Sequence, residues 1–376
     1  MRKKNIIYLT LILAASLTAS SCAKPLAWTD PEGVYDTEQV EVYFSVEDGV
    51  ASKATGITEN QEKAVSRWAV FAFDDEDGWF RYATSDNASN IPLKLWAGRY
   101  YTCYAVTNYK LTGDGAFNPA TVTSASDLMN RVARLQDQSV GNLMMFGRLP
   151  GVTPTPRIVN PEVPVDPGSD AVNIYVQRMV SKVTVTKVAV DFSEKPYLAS
   201  KTFTLKGIYL TNVYKTTRFG SDYLPSNLSA SRTAWYNTAG RHRGESAISA
   251  LDAILEDTGI NTVITESSPY NVAHSFYAIP NPTPKSADMD DPDHWGVRCT
   301  RVVMECTIDD DTVYYFVTIP AMERNMAYTM SDVVIKGRGS NDPEEKDIDP
   351  DIIEVTVTAT PISSWDTSVP EVSDNA

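Results

Sequence analysis

The chain has 376 residues, 33 basic and 48 acidic, with a formal net charge of −15. Residues 1–21 hold three of the basic residues and none of the acidic ones, so the remainder carries 30 against 48, a net −18. A surface this acidic, with no basic cluster to offset it, excludes nucleic acid as a partner. The roughly 355 residues after residue 21 exceed what one core normally serves and predict two domains.

Arg2, Lys3 and Lys4 precede an apolar run from Ile6 to Leu17. That run is shorter than the roughly 20 residues needed to span a bilayer, and it fits the apolar region of a signal peptide over residues 1–21. It ends in Ala19-Ser20-Ser21-Cys22, small residues directly before a cysteine. This predicts lipoprotein processing with acylation of Cys22, and two or more acyl chains give stable anchoring to a membrane.

Apolar residues then recur with a period of two. Val40, Val42, Phe44 and Val46 alternate with more polar positions and predict a strand with one buried face. Trp68 to Phe73 is nearly all apolar and runs into the acidic turn Asp74 to Gly78. Leu93 and Leu95, the turn Ala97-Gly98 and the run Tyr100 to Val106 predict a hairpin. Ser124 to Leu135 has Leu128, Val132 and Leu135 at helical spacing, with Ser124 and Asp127 in a capping-box relation. Six prolines between residues 150 and 170 mark a break, and the boundary is drawn at 165, giving domains 22–165 and 166–376. Beyond it, strand-like runs cover Gln177 to Val190, Phe203 to Val213, Phe276 to Ile279, Arg301 to Ile308, Val313 to Ile319, Tyr328 to Ile335 and Ile352 to Ile362. Ser246 to Asp257 has a helical apolar face. Gly337 to Asp351, rich in Gly, Asp, Glu and Pro, predicts an exposed, mobile connection. Many short strands between turn signals predict an all-β chain of sandwiches with one or two short helices.

Motifs that carry chemistry are missing. His242, His274 and His294 lie in no His-Glu-x-x-His pattern, and no nucleophile elbow, phosphate loop or dinucleotide-binding glycine pattern occurs. His274 therefore reads as structural, and neither an enzymatic activity nor a cofactor is expected. Asp288, Asp290, Asp291 and Asp293 share a loop but lack the central Gly and terminal Glu of a calcium loop, so a solvated acidic loop is expected and no metal site is assigned. Cys103, Cys299 and Cys306 read as small buried hydrophobes. Trp79, Trp96, Trp235 and Trp295 near turns leave a second reading open, a surface glycan-binding lipoprotein, with Trp79 or Trp235 as the stacking platform.

Four passages carry a resemblance: the opening strands V-E-V-Y-F-S-V and W-A-V-F-A-F-D-D-E-D-G; Leu95 to Asn108, L-W-A-G-R-Y-Y-T-C-Y-A-V-T-N; Val176 to Val185, V-Q-R-M-V-S-K-V-T-V; and the C-terminal runs Phe276 to Asn281 and Glu354 to Trp365. In this order the chain resembles the fimbrillin superfamily of Bacteroidales, the subunits of type V pili. The resemblance implies two tandem transthyretin-like β-sandwich domains in a structural subunit of a fimbrium that contributes to adhesion. It implies an outer-membrane, cell-surface location through a lipid anchor, with other pilus subunits and an Arg- or Lys-specific surface protease as partners. That protease removes the first strand (about 39–47), and the vacated groove accepts a strand from the next subunit. Lys53 and Arg67 are the candidate processing sites. Ile353, Val355, Val357 and Ala359 have the donor's spacing, and the tail through Trp365, Val369 and Val372 is the other candidate. A chain cleaved at neither position would be an anchor subunit that keeps its lipid.

Overall fold

A computed structural model describes residues 39–47, 64–155, 171–220, 235–237, 254–283, 299–319, 321–343, 345, 349 and 351–361. The strands up to the proline-rich stretch are β1 (Gln39–Glu47), β2 (Trp68–Asp74), β3 (Phe80–Ser85), β4 (Ile91–Trp96), β5 (Tyr101–Thr107), β6 (Val132–Arg134) and β7 (Met145–Val152). After it come β8 (Val172–Tyr175), β9 (Gln177–Arg178), β10 (Ser181–Val185), β11 (Val188–Val190), β12 (Phe203–Thr211), β13 (Val213–Tyr214), β14 (Thr216–Arg218) and β15 (Trp235–Tyr236). The remainder are β16 (Glu256–Asp257), β17 (Thr262–Ile264), β18 (His274–Ala278), β19 (Thr300–Ile308), β20 (Asp311–Ile319), β21 (Met326–Ile335) and β22 (Ile353–Pro361). Two short helices, α1 (Ala125–Asn130) and α2 (Pro196–Ala199), lie among them.

The first sandwich packs the three-stranded sheet β4-β1-β8 against the five-stranded sheet β3-β2-β5-β7-β9. Its core holds Phe44, Trp68, Leu93, Leu95, Tyr101 and Ile174. The five-stranded sheet is covered on its other face as well, by Phe117 and Val122 from the segment leading into α1, by Leu128 of α1 itself, and by Phe219. Two covered faces explain why β2 and β5 are buried along their full length and read as continuous apolar runs. In the second sandwich β10 and β11 pair with one side of β21 and β22 with the other, and β18 extends the sheet beyond β10. The facing sheet runs from β16 and β17 through β12 and β19 to β20. Val183, Leu205, Ile208, Phe276, Met304, Tyr315 and Met330 fill the space between them.

Five sequence expectations are corrected in whole or in part. β4 and β5 are not a hairpin: they lie in different sheets, and the turn through Gly98 (φ +78°) carries the chain across the sandwich. Both have one face on the same core, and apolar alternation reports burial without reporting which strand lies alongside. Helix α1 stops at Asn130, and Val132–Arg134 turns away to pair with β14, 84 residues later. The predicted cap is present, with the Ser124 hydroxyl accepting from Asp127 N at 3.0 Å. Of the predicted helix over 246–257, Ile254 and Leu255 are helical, whereas Glu256–Asp257 form strand β16, paired with β12; residues 246–253 lie outside the described residues. The strands that complete the first sandwich continue past residue 165, because β8 joins β1 and β9 joins β7. The Gly337–Asp351 connection is exposed at Asn341, Asp342, Glu345, Asp349 and Asp351, but others of its described residues are tied into the fold. Ser340 exchanges two backbone hydrogen bonds with Tyr314 (2.8 and 3.1 Å), Arg301 Nη1 donates to Glu345 O at 2.7 Å, and Gly337 and Pro343 are buried.

One ion pair fixes the end of the first sandwich where the β2–β3 and β4–β5 turns meet. The Asp74 side chain is fully buried, accepts from Glu76 N at 3.0 Å and pairs with Arg99 Nη1 at 2.9 Å. Removing one partner of a buried pair strands the other, so Asp74→Ala is expected to cost about 3 kcal/mol in a denaturation experiment. Asp74→Asn, which keeps an acceptor for Glu76 N, should cost visibly less.

Candidate functional site

The predicted leaving strand lies inside a sheet. β1 pairs antiparallel with β4 from Gln39↔Trp96 to Phe44↔Ile91, and parallel with β8 from Phe44↔Val172 to Glu47↔Tyr175. The two pairings are staggered, so Phe44 alone is matched on both sides. Phe44 is fully buried, and Val42 and Val46 pack partly buried against the same core; Val40 is half-buried at the rim. The Ser45 hydroxyl bonds the Asn173 side chain on the β8 side. Strands stand about 4.8 Å apart in a sheet, so lifting β1 out leaves a slot about 9–10 Å wide between β4 and β8, flanked by Leu93 and Ile174 and backed by Trp68 of the facing sheet. Pro92 within β4 suits a strand with an edge position, since it cannot donate to a ladder.

At the other end of the chain, β22 is the outer strand beside β21. It runs antiparallel from Ile335↔Ile353 to Met326↔Pro361, with a bulge between Ser331 and Val334. Its two halves differ. Ile353 and Val355 pack against the second core, whereas Val357 (38 % exposed) and Ala359 project beyond it. Lys336 holds the first half through an ion pair to Glu354. Met326 follows Asn325, whose N–H donates to Val180 O at 3.1 Å and whose side chain accepts from Arg178 N at 3.3 Å. β22 therefore ends beside the crossing from the first sandwich to the second.

Of the two candidate processing residues, Lys53 lies outside the described residues, as do Cys22 and the tail through Trp365, Val369 and Val372. Arg67 is built into the fold. Its carbonyl accepts from Asn108 N at 2.8 Å, its Nε pairs with Asp86 at 2.8 Å, and its guanidinium lies 5.9 Å from the centre of the Tyr109 ring. The next residue, Trp68, is fully buried. Ser66 is tied in too, bonding Asn108 Oδ1 and, through its hydroxyl, Asn142 Oδ1.

The remaining candidates offer little chemistry. His274 Nδ1 is 3.0 Å from Asp257 Oδ2 and Nε2 is 2.7 Å from the Tyr270 hydroxyl, so both ring nitrogens are occupied in a clasp between β16 of one sheet and β18 of the other. Cys103, Cys299 and Cys306 are buried and form no disulfide with one another, and burial pushes the Cys103 and Cys306 thiols well up, out of the reactive range. No group of three metal-ligating side chains occurs among the described residues, and the 288–293 loop lies outside them. The faces proposed for sugar stacking are engaged: Arg81 sits 5.0 Å over the Trp79 ring, and Trp235 packs edge-on to Tyr214.

No family model and no curated protein matches the chain. Solved structures do. A protein ascribed to cell adhesion from Bacteroides eggerthii aligns with a TM-score of 0.54 at 18 % identity, over 86 % of this chain and 96 % of its own. Another from Parabacteroides distasonis aligns with a TM-score of 0.55 at 15 % identity, over 87 % and 98 %. A fimbrilin from Porphyromonas gingivalis aligns with a TM-score of 0.54 at 16 % identity, over 85 % and 97 %. These alignments run almost the full length of each relative, and together with the order of strands they give the chain the all-β sandwich fold of the Bacteroidales fimbrilins.

Proposed function

We propose that the protein is a structural subunit of a bacterial fimbria, made as a lipoprotein on Cys22 and assembled by strand exchange. It is organised as two tandem sandwiches that divide near Met179. The observation that carries this reading is the seating of β1. An N-terminal strand, followed by the long connection 48–63, fills a slot whose walls β4 and β8 belong to later parts of the chain. Cutting that connection leaves β1 attached to the rest only through hydrogen bonds and side-chain packing. Its departure exposes unpaired backbone groups and an apolar trough, the two features that strand addition satisfies.

Processing falls in this reading at Lys53. A protease must draw the chain extended into its own cleft, and the Arg67–Trp68 bond could enter one only by breaking the Asn108 and Asp86 contacts and lifting Trp68 from the core. The donor is β22, with its exposed Val357 and Ala359. N-terminal sequencing of the protein recovered from the cell surface tests the processing step. A start at Ala54 is expected. Material that begins only at Cys22 would make the subunit an uncleaved anchor.

A further inference from the structure

The sheet that seats β1 consists of β4, β1 and β8 in that order. β1 is the middle strand, and among the described residues neither β4 nor β8 has any other strand as a neighbour. An empty slot is therefore not a groove in a standing sheet. It is two single strands, attached to the first core by the packing of side chains such as Leu93, Leu95 and Ile174. Backbone groups left unpaired on both walls of an apolar trough are costly. We propose, resting on the strand-exchange reading above, that cutting the connection does not empty the slot: β1 stays seated as a plug, and an incoming strand evicts it one half at a time.

The stagger of the pairings supplies the two halves. Gln39 to Phe44 lie along β4 and Phe44 to Glu47 along β8, so each half is held by one wall and Phe44 alone by both. The half on β8 adjoins the 48–63 connection, and a cut there gives it a free end. Its side-chain tie to that wall is the Ser45 hydroxyl on Asn173. On its other side no strand pairs with it among the described residues, because the chain before Ile91 bends into a turn of its own. There Ser89 N donates to Asn87 Oδ1 at 2.8 Å, and Ser89 O accepts from Trp68 Nε1 at 3.1 Å.

This geometry sets the order of events. Once Ser45 to Glu47 lift, a new strand can pair with β8 while Gln39 to Phe44 still cover β4, so the two walls are never bare together. Fully buried Phe44 is the pivot, and it leaves when an apolar residue of the newcomer reaches its place. Release before capture would instead pass through the two lone strands, the costlier route. The protease then only primes the subunit, and the arriving strand opens it. A cut subunit without a donor keeps its apolar trough covered.

The test starts from residues 23–376 cut within 48–63 by a Lys-specific protease, at a dilution below that of filament growth. A synthetic peptide of residues 39–47 serves as the incoming strand, because it fits the slot whichever segment is the natural donor. The piece that holds Gln39 to Glu47 is followed by size-exclusion chromatography and mass spectrometry. It should co-elute with the body after the cut, and its release should quicken in proportion to peptide concentration. Ser45→Ala, which removes the tie to Asn173, should quicken release about three- to tenfold at a given peptide concentration. Loss of the piece on cutting, before peptide is added, would overturn the proposal. So would a release rate that is the same at every peptide concentration, or a Ser45→Ala rate equal to that of the unaltered chain. Filaments from a chain that sheds β1 on cutting would refute the plug and keep strand exchange. A plug that exchanges with peptide in a chain that never polymerises would do the reverse.

Discussion

A chain that lacks β1 is expected to be markedly unstable on its own and to recover when a matching strand is added as a peptide. Val42, Phe44 and Val46 each bury an apolar side chain, worth about 1.5–3 kcal/mol when complete, so the strand contributes roughly 5–7 kcal/mol. Whole domains are stable by only about 5–15 kcal/mol, so the first sandwich should lose most of its cooperativity. Phe44 dominates as the fully buried residue at the one position paired to both β4 and β8. Its replacement by Ala in the intact chain should cost about 3–5 kcal/mol. A peptide of residues 39–47 should restore the denaturation midpoint, and one of residues 353–361 should do so in part, because Val355, Val357 and Ala359 repeat the same spacing of two. If the 362–376 peptide restores it and the 353–361 peptide does not, the donor lies in the tail.

The second large effect separates the folded subunit from the polymer. In the subunit Val357 is exposed beyond the second core, whereas Val355 packs on it. Val357→Asp should therefore change the stability of the uncleaved chain by less than about 0.5 kcal/mol. Seated as a donor in the slot, the same residue would face the trough of Trp68, Leu93 and Ile174, where an unpaired carboxylate costs several kcal/mol. Polymer yield should fall to background with no change in the monomer. Val355→Asp should damage both, and so serves as the control for simple misfolding. Polymerisation of Val357→Asp at the wild-type level would remove β22 as the donor.

Much of this arrangement is legible in the residues. The alternation of β1, the acidic turn after Phe73 and the β19–β20 pair joined at Asp309-Asp310 all show as local patterns, and the last two are also local in the fold. What escapes is partner choice. Leu93 and Leu95 alternate as a hairpin arm would, yet β4 takes β1 as its neighbour, about fifty residues earlier in the chain. Val132 and Leu135 keep helical spacing with Leu128, but β14 captures Val132–Arg134 as a strand. The prolines after residue 150 mark a real discontinuity, and β8 still crosses it to close the slot around β1.

The most direct measurement is electron microscopy of residues 23–376 before and after an Arg/Lys-specific protease, with the N-terminus of the product sequenced. The strand-exchange account predicts filaments, and a ladder on a denaturant-light gel, only after the segment that holds Val40 to Val46 has been released. A chain that loses that segment and remains monomeric at high concentration would contradict it.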